Sequence, residues 1–98
     1  MNYKAKLHRI KAFVFDFDGV MSDGNVYMFD DRQAIRCGNT KDGYAIQYAV
    51  KKGYTIALIS GATSQSINNR MESLGVKHIY TGCSNKLTTY SKFLETNN

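Results

Sequence analysis

Short apolar runs that alternate with segments of helical periodicity restrict this chain to very few folds. The runs cover residues 12–17, 55–60 and 77–81, and each ends in a polar loop carrying a glycine. The first two are continuously apolar rather than alternating, which suits parallel strands buried on both faces. Asp42 is placed to cap a helix that runs to about Lys52, with Ala45, Ile46, Ala49 and Val50 on its apolar face and Gly53 as its stop. Thr63 or Ser64 caps a second helix with Ile67, Met71 and Leu74 on one side, and Gly75 ends it. Asn85 caps a third, which turns Leu87, Tyr90, Phe93 and Leu94 inward. Residues 25–37 break the alternation. Val26-Tyr27-Met28-Phe29, the turn Asp30-Asp31-Arg32-Gln33 and Ala34-Ile35-Arg36 read as a two-stranded hairpin. The predicted fold is α/β, a Rossmann-like parallel sheet of three strands with right-handed crossovers plus a β-hairpin flap. With 98 residues there is material for one core, so residues 1–98 are expected to form a single domain.

Composition removes several functional classes. No apolar run is long enough to span a membrane. The basic start, with Lys4, Lys6, Arg9 and Lys11, leads into a run interrupted by Asp16 and Asp18, a poor secretory signal, so a cytoplasmic location is expected. The net charge of +5 suits an anionic small substrate. No reader motif or aromatic-basic interleaving accompanies it, so no nucleic-acid partner is expected. Cys37 and Cys83 stand apart without a CxxC neighbour, and His8 and His78 are isolated, so none of the four is expected to bind metal.

In parallel sheets, ligands bind beyond the carboxyl ends of the strands. Those ends are Asp16-Phe17-Asp18, Ser60-Gly61-Ala62 and the loop from Thr81 to Lys86, and they converge on one crevice. Two carboxylates two residues apart at a strand end can reach one ligand, and they tolerate each other best around a cation. Oxygen donors of this kind suit magnesium. Asp16 is placed to attack a phosphorus atom, with Asp18 to protonate the leaving oxygen and later activate water. Ser60 and the Gly61 amide can hold phosphate oxygens, and Lys86 can neutralise charge. Lys86 also breaks a local rule, because a cation in a first helical turn opposes the helix dipole. Such conflicts concentrate at functional sites.

These residues make the chain resemble the haloacid dehalogenase-like phosphatase superfamily. Phe15-Asp16-Phe17-Asp18-Gly19-Val20 matches its first motif, Ser60-Gly61 its second, and Lys86 within Ser84-Asn85-Lys86 its third. Asp23-Gly24 and the Tyr27-Met28 hairpin are similar to the flap of the small members that act on 3-deoxy-D-manno-octulosonate 8-phosphate. Lys41-Asp42-Gly43-Tyr44 resembles their substrate-side loop. The likeness runs from about residue 11 to residue 94. It implies a magnesium-dependent sugar-phosphate phosphatase that works through an aspartyl-phosphate on Asp16, with Asp18 as acid and base. Asp16 and the Asp18 carbonyl would bind the metal, Ser60, Gly61 and Lys86 the phosphoryl group, and Lys41 and Asp42 the substrate. It also implies a homotetramer built through the hairpins. The family continues into a fourth strand whose Gly-Asp-Asp type motif supplies a further magnesium ligand. Nothing after Lys86 matches that motif, and Ala62 and Gly38 stand where relatives often have an arginine and an aromatic residue. Without a fourth strand, the first is expected to be an apolar open edge.

Other readings compete. A non-catalytic remnant would keep the fold and assemble through its hairpin. A receiver domain needs an acceptor Asp where Ser60 stands, and a glycosyltransferase Asp-x-Asp normally follows a nucleotide-binding region, whereas fifteen residues precede Asp16.

Overall fold

A computed structural model describes residues 6–30 and 34–97. Lys4 of the basic start and Asp31-Arg32-Gln33 of the hairpin turn lie outside the described residues. The elements in order are β1 (Ala12–Phe15), β2 (Ser22–Met28), β3 (Ala34–Gly38), α1 (Thr40–Lys51), β4 (Thr55–Ile59), α2 (Gln65–Ser73), β5 (His78–Tyr80) and α3 (Lys86–Asn97). A three-stranded parallel sheet has the order β1-β4-β5, and β2 pairs with β3 in a separate antiparallel ribbon. The alternation of strand and helix and the hairpin both stand as read from the sequence.

β4 is the central strand, and its alternation sets the two faces of the core. Ile56 and Leu58 point into a cluster with Ile46 of α1, Ile67, Met71 and Leu74, and Val76. Phe17 and Met21 close this cluster beneath the loop after β1. Ala57 and Ile59 face the other way, in register with His78 and Tyr80 of β5. On that face Phe93 of α3 is buried and meets the rings of His78 and Tyr80 edge-on. His78 is thus a packing residue.

Four expectations need correction. Asn39, not Asp42, caps α1: its side-chain oxygen accepts from the amides of Lys41 and Asp42 at 2.8 and 3.2 Å. The helix starts a turn earlier than expected, and Asp42 lies in its first turn, where a carboxylate suits the dipole. Ala45 is exposed, because the core lies on the side of Ile46. Of the four residues expected inward on α3, only Phe93 is buried; Leu87, Tyr90 and Leu94 are 72%, 39% and 47% exposed. β1 is not buried on both faces either. Among the described residues it pairs only with β4, and Phe13 and Val14 stay 38% exposed. For Leu87, Tyr90 and Val14 these last two corrections share one cause. Leu87 and Tyr90 line an open groove of about 340 Å³ beside Val14 and Phe15, and no described residue fills it. The apolar open edge expected for the first strand is therefore present.

Candidate active site

The loop after β1 turns on backbone hydrogen bonds. The Phe17 carbonyl accepts from the amides of Val20, Met21 and Ser22, at 3.2, 2.8 and 3.0 Å. Gly19 takes a φ of 80°, which a residue with a Cβ adopts only at a cost. Buried Ser22 completes the turn: its Oγ accepts from the amides of Gly19 and Gly24 at 3.4 and 3.2 Å. Asp16 and Asp18 are thus held on a tight loop at the carboxyl end of β1.

The other two loops are tied to each other. The Ser60 amide donates to the Tyr80 carbonyl at 2.9 Å, the Cys83 amide to the Ser60 carbonyl at 3.0 Å, and the Gly82 amide to the Ala62 carbonyl at 2.9 Å. Ser60 is buried, and its Oγ accepts from the Ala62 amide at 3.1 Å, which leaves the hydroxyl hydrogen to donate elsewhere. A Cβ on Gly61 would sit 3.5 Å from the Cys83 carbonyl oxygen, so the two loops run in close contact. Asn85 then caps α3 by accepting from the Thr88 amide at 3.1 Å, as its place in the sequence suggested.

Lys86, the first residue of α3, reaches across to Asp16, with Nζ 3.0 Å from Oδ2. The other Asp16 oxygen accepts from the Phe17 amide at 2.7 Å. The cation that conflicts with the helix dipole has its compensation in a carboxylate on another loop. Asp18 faces a different cation: Arg36 Nε lies 2.6 Å from Oδ1 and Nη2 3.3 Å from Oδ2. Arg36 was not anticipated. A signal for it exists in β3, where Ala34 and Arg36 are half-buried while Ile35 is exposed. An arginine turned inward beside an isoleucine turned outward inverts the usual pattern.

The structure therefore joins Asp16 to Lys86 and packs the Ser60-Gly61 loop against the one that leads to Lys86. Lys41 and Asp42 lie exposed in the first turn of α1. Among the described residues, no side-chain hydrogen bond or ion pair links them to the other candidates. Cys37 and Cys83 are free thiols. Among the described residues there is no cluster of three or more His, Cys, Asp or Glu. Among the described residues no helix is long and apolar enough to cross a membrane.

No protein-family model matches the chain. It is 37% identical over 91 residues to the 3-deoxy-D-manno-octulosonate 8-phosphate phosphatase KdsC of Escherichia coli, covering 93% of this chain and 48% of the relative. A 3-deoxy-D-manno-octulosonate 8-phosphate phosphatase structure from Moraxella catarrhalis, in complex with magnesium, phosphate and a KDO molecule, superposes with a TM-score of 0.87 at 29% identity, over 94% of this chain and 53% of that one. A protein of Legionella pneumophila assigned to the HAD superfamily (subfamily III A hydrolases) superposes with a TM-score of 0.83 at 25% identity, over 97% and 57%. The chain spans about half the length of the curated relatives it matches. The motif residues, the sheet order and these likenesses agree: over about half of their length, the chain is similar to the 3-deoxy-D-manno-octulosonate 8-phosphate phosphatases and to other proteins of the haloacid dehalogenase-like superfamily.

Proposed function

We propose that this chain forms a single catalytic domain of a magnesium-dependent phosphomonoester hydrolase. Its substrate is a sugar phosphate, 3-deoxy-D-manno-octulosonate 8-phosphate on the strength of its relatives. On this reading it works in the cytoplasm, where it supplies the sugar for lipopolysaccharide. The observation that carries the proposal is the Lys86–Asp16 pair at 3.0 Å. A nucleophilic carboxylate and a phosphate-neutralising cation meet there from two loops that are far apart in sequence.

Asp16 attacks phosphorus, the bond to the sugar oxygen breaks, and Asp18 gives that oxygen a proton. Asp18 then takes a proton from the water that attacks the aspartyl-phosphate, which frees phosphate and restores Asp16. The Ser60 hydroxyl and the Gly61 amide donate to the phosphoryl oxygens, and Lys86 neutralises their charge. Asp16 supplies carboxylate oxygens, and the Asp18 carbonyl accepts no backbone hydrogen bond among the described residues. These hard oxygen donors fit magnesium, which would offset the mutual repulsion of carboxylate and phosphate. Lys41 and Asp42, near the mouth of the crevice in this reading, would meet the sugar.

The hairpin supports a second element of the proposal, self-association into a tetramer. Tyr27, Met28, Phe29 and Ile35 are 66%, 88%, 54% and 51% exposed, more apolar surface than a free two-stranded ribbon usually carries. Self-association without turnover is the alternative function. Asp16→Asn separates the two: it should abolish hydrolysis of sugar 8-phosphate in the presence of magnesium and leave the fold and assembly intact. Turnover retained by that variant would remove Asp16 from the mechanism.

A further inference from the structure

Arg36 is a charged residue of the site region that the reaction above does not use. It projects from β3, in a ribbon that shares no ladder with the parallel sheet. Its guanidinium is nonetheless among the more enclosed parts of the site, with 13% of the side chain exposed against 37% for Asp18. It meets both oxygens of Asp18, and it meets them unequally. Nε to Oδ1, at 2.6 Å, is a short charge-assisted hydrogen bond, whereas Nη2 to Oδ2, at 3.3 Å, lies at the weak end of the range.

A carboxyl group that hands a proton to a leaving oxygen must turn one of its own oxygens to that atom. With both oxygens on the guanidinium, one contact has to open. The geometry names which one.

We propose that Arg36 is a positioning residue, which anchors Asp18 through Oδ1 and so assigns Oδ2 as the oxygen that meets the leaving group. The proposal rests on the hydrolase reading. Its chemistry adds nothing to the step: the proton passes from Asp18 Oδ2 to the sugar oxygen as the phosphorus–oxygen bond breaks. Arg36 restricts the rotation of the carboxyl group about its Cβ–Cγ bond, and orientation of this kind is a recognised source of rate. The arrangement also gives the hairpin a mechanical role. Among the described residues, the Arg36 side chain adds a polar tie to the catalytic loop beside the Ser22 hydrogen bonds. Lysine is not an equivalent substitute, since it offers a point charge where arginine offers a planar fork.

The leaving group provides the test. A sugar alkoxide needs its proton, whereas 4-nitrophenolate leaves without one. Arg36→Gln should lower kcat on 3-deoxy-D-manno-octulosonate 8-phosphate by about 30-fold, part of the ~100-fold or more that a general acid contributes, and kcat on 4-nitrophenyl phosphate by less than about threefold. Arg36→Lys should fall between the two proteins on the sugar phosphate. Equal losses on both esters would overturn the proposal, because a merely structural role for Arg36 makes no distinction between leaving groups. The anchor itself is read without turnover, from the side-chain Nε–H of Arg36 by NMR. It should exchange slowly with water and lose that protection in Asp18→Asn. An Nε–H as exchangeable as that of exposed Arg9 would overturn the proposal. If the unsubstituted protein hydrolyses neither ester, the hydrolase reading fails, and the Nε–H measurement still decides the anchor.

Discussion

Replacing Lys86 by alanine should leave the fold almost untouched and strip the site of its affinity for phosphate. The stability side follows from the geometry. The pair with Asp16 is close, at 3.0 Å, but the two side chains are 49% and 37% exposed. Such partly solvated pairs contribute about 0–1 kcal/mol. Against that loss, the substitution removes a cation from the first turn of α3, where the helix dipole disfavours it by about 0.3–1 kcal/mol. The two effects nearly cancel, and the net change should stay within about 1 kcal/mol, or less than about 4–8 °C in melting temperature for a domain of this size. The binding side has no such compensation. A hydrogen bond from a charged group is worth about 1.5–3 kcal/mol, which corresponds to roughly 10- to 100-fold in affinity. The assay is a thermal melt of both proteins beside competition by inorganic phosphate and vanadate, with magnesium held constant. The reasoning is refuted if the variant melts far below the parent while its affinity for phosphate is unchanged. That result would make Lys86 a structural tie between α3 and β1.

Three further outcomes are expected. Gly19→Ala should cost about 1–2 kcal/mol in a urea titration, and Gly19→Asn less, because φ is 80° and a Cβ there would meet nothing within 4 Å, so the loss is conformational alone. Asn39→Ala should cost about 0.5–2 kcal/mol in the same titration, since two amides of α1 lose their acceptor, whereas Asp42→Ala should cost less. Tyr27→Ser combined with Met28→Ser should shift the sedimenting species from an assembly to a monomer with the melting temperature little changed; a parent protein that is monomeric at micromolar concentration would count against the role of the hairpin.

How far the fold was legible depends on what sets each pattern. The period of two in β4, with Ile56 and Leu58 on one side and Ala57 and Ile59 on the other, is invisible in a continuous apolar run. The run itself was visible because both faces are covered. The same reasoning misled at β1. Phe13 and Val14 have the composition of a central strand, and apolarity records a preference for burial without recording how many neighbours satisfy it. α3 shows the other side of this error. Leu87, Tyr90 and Leu94 have the spacing of an inward face, but Leu87 and Tyr90 overlook the groove beside β1 and Leu94 stays 47% exposed. The cap of α1 was misplaced for a local reason. Asn39 and Asp42 are both good capping residues three positions apart, and only the backbone, extended at Asn39 with φ −115° and ψ 126°, decides between them.

The site was legible where its residues are bound to element ends. A carboxylate after an apolar strand, a serine and glycine after the next, and a lysine at the start of a helix are each anomalies of position. Parallel topology guarantees that such ends share one edge of the sheet, which brings Asp16 and Lys86 to the same side; the contact between them is seen in the structure. Arg36 has no comparable guarantee. It lies on a ribbon outside the sheet, and the register shift between Ser22 and Val26 sets which residue of β2 it stands opposite. A ladder in strict register from the Ser22–Gly38 pair would set Arg36 opposite Gly24 instead of Val26, a displacement of two residues that keeps its face and moves it along the ribbon. The irregularity at Gly24, where φ is 85°, therefore helps to set how far along the ribbon Arg36 stands when it meets Asp18. Filling Gly24 with a β-branched residue should loosen the Arg36–Asp18 contact without touching either partner. Loss of protection at the Arg36 Nε–H in Gly24→Val, in a protein whose β1–β4 amides stay protected, is the expected result. Protection equal to that of the parent would show that the ribbon finds its register from Arg36 and Asp18 themselves.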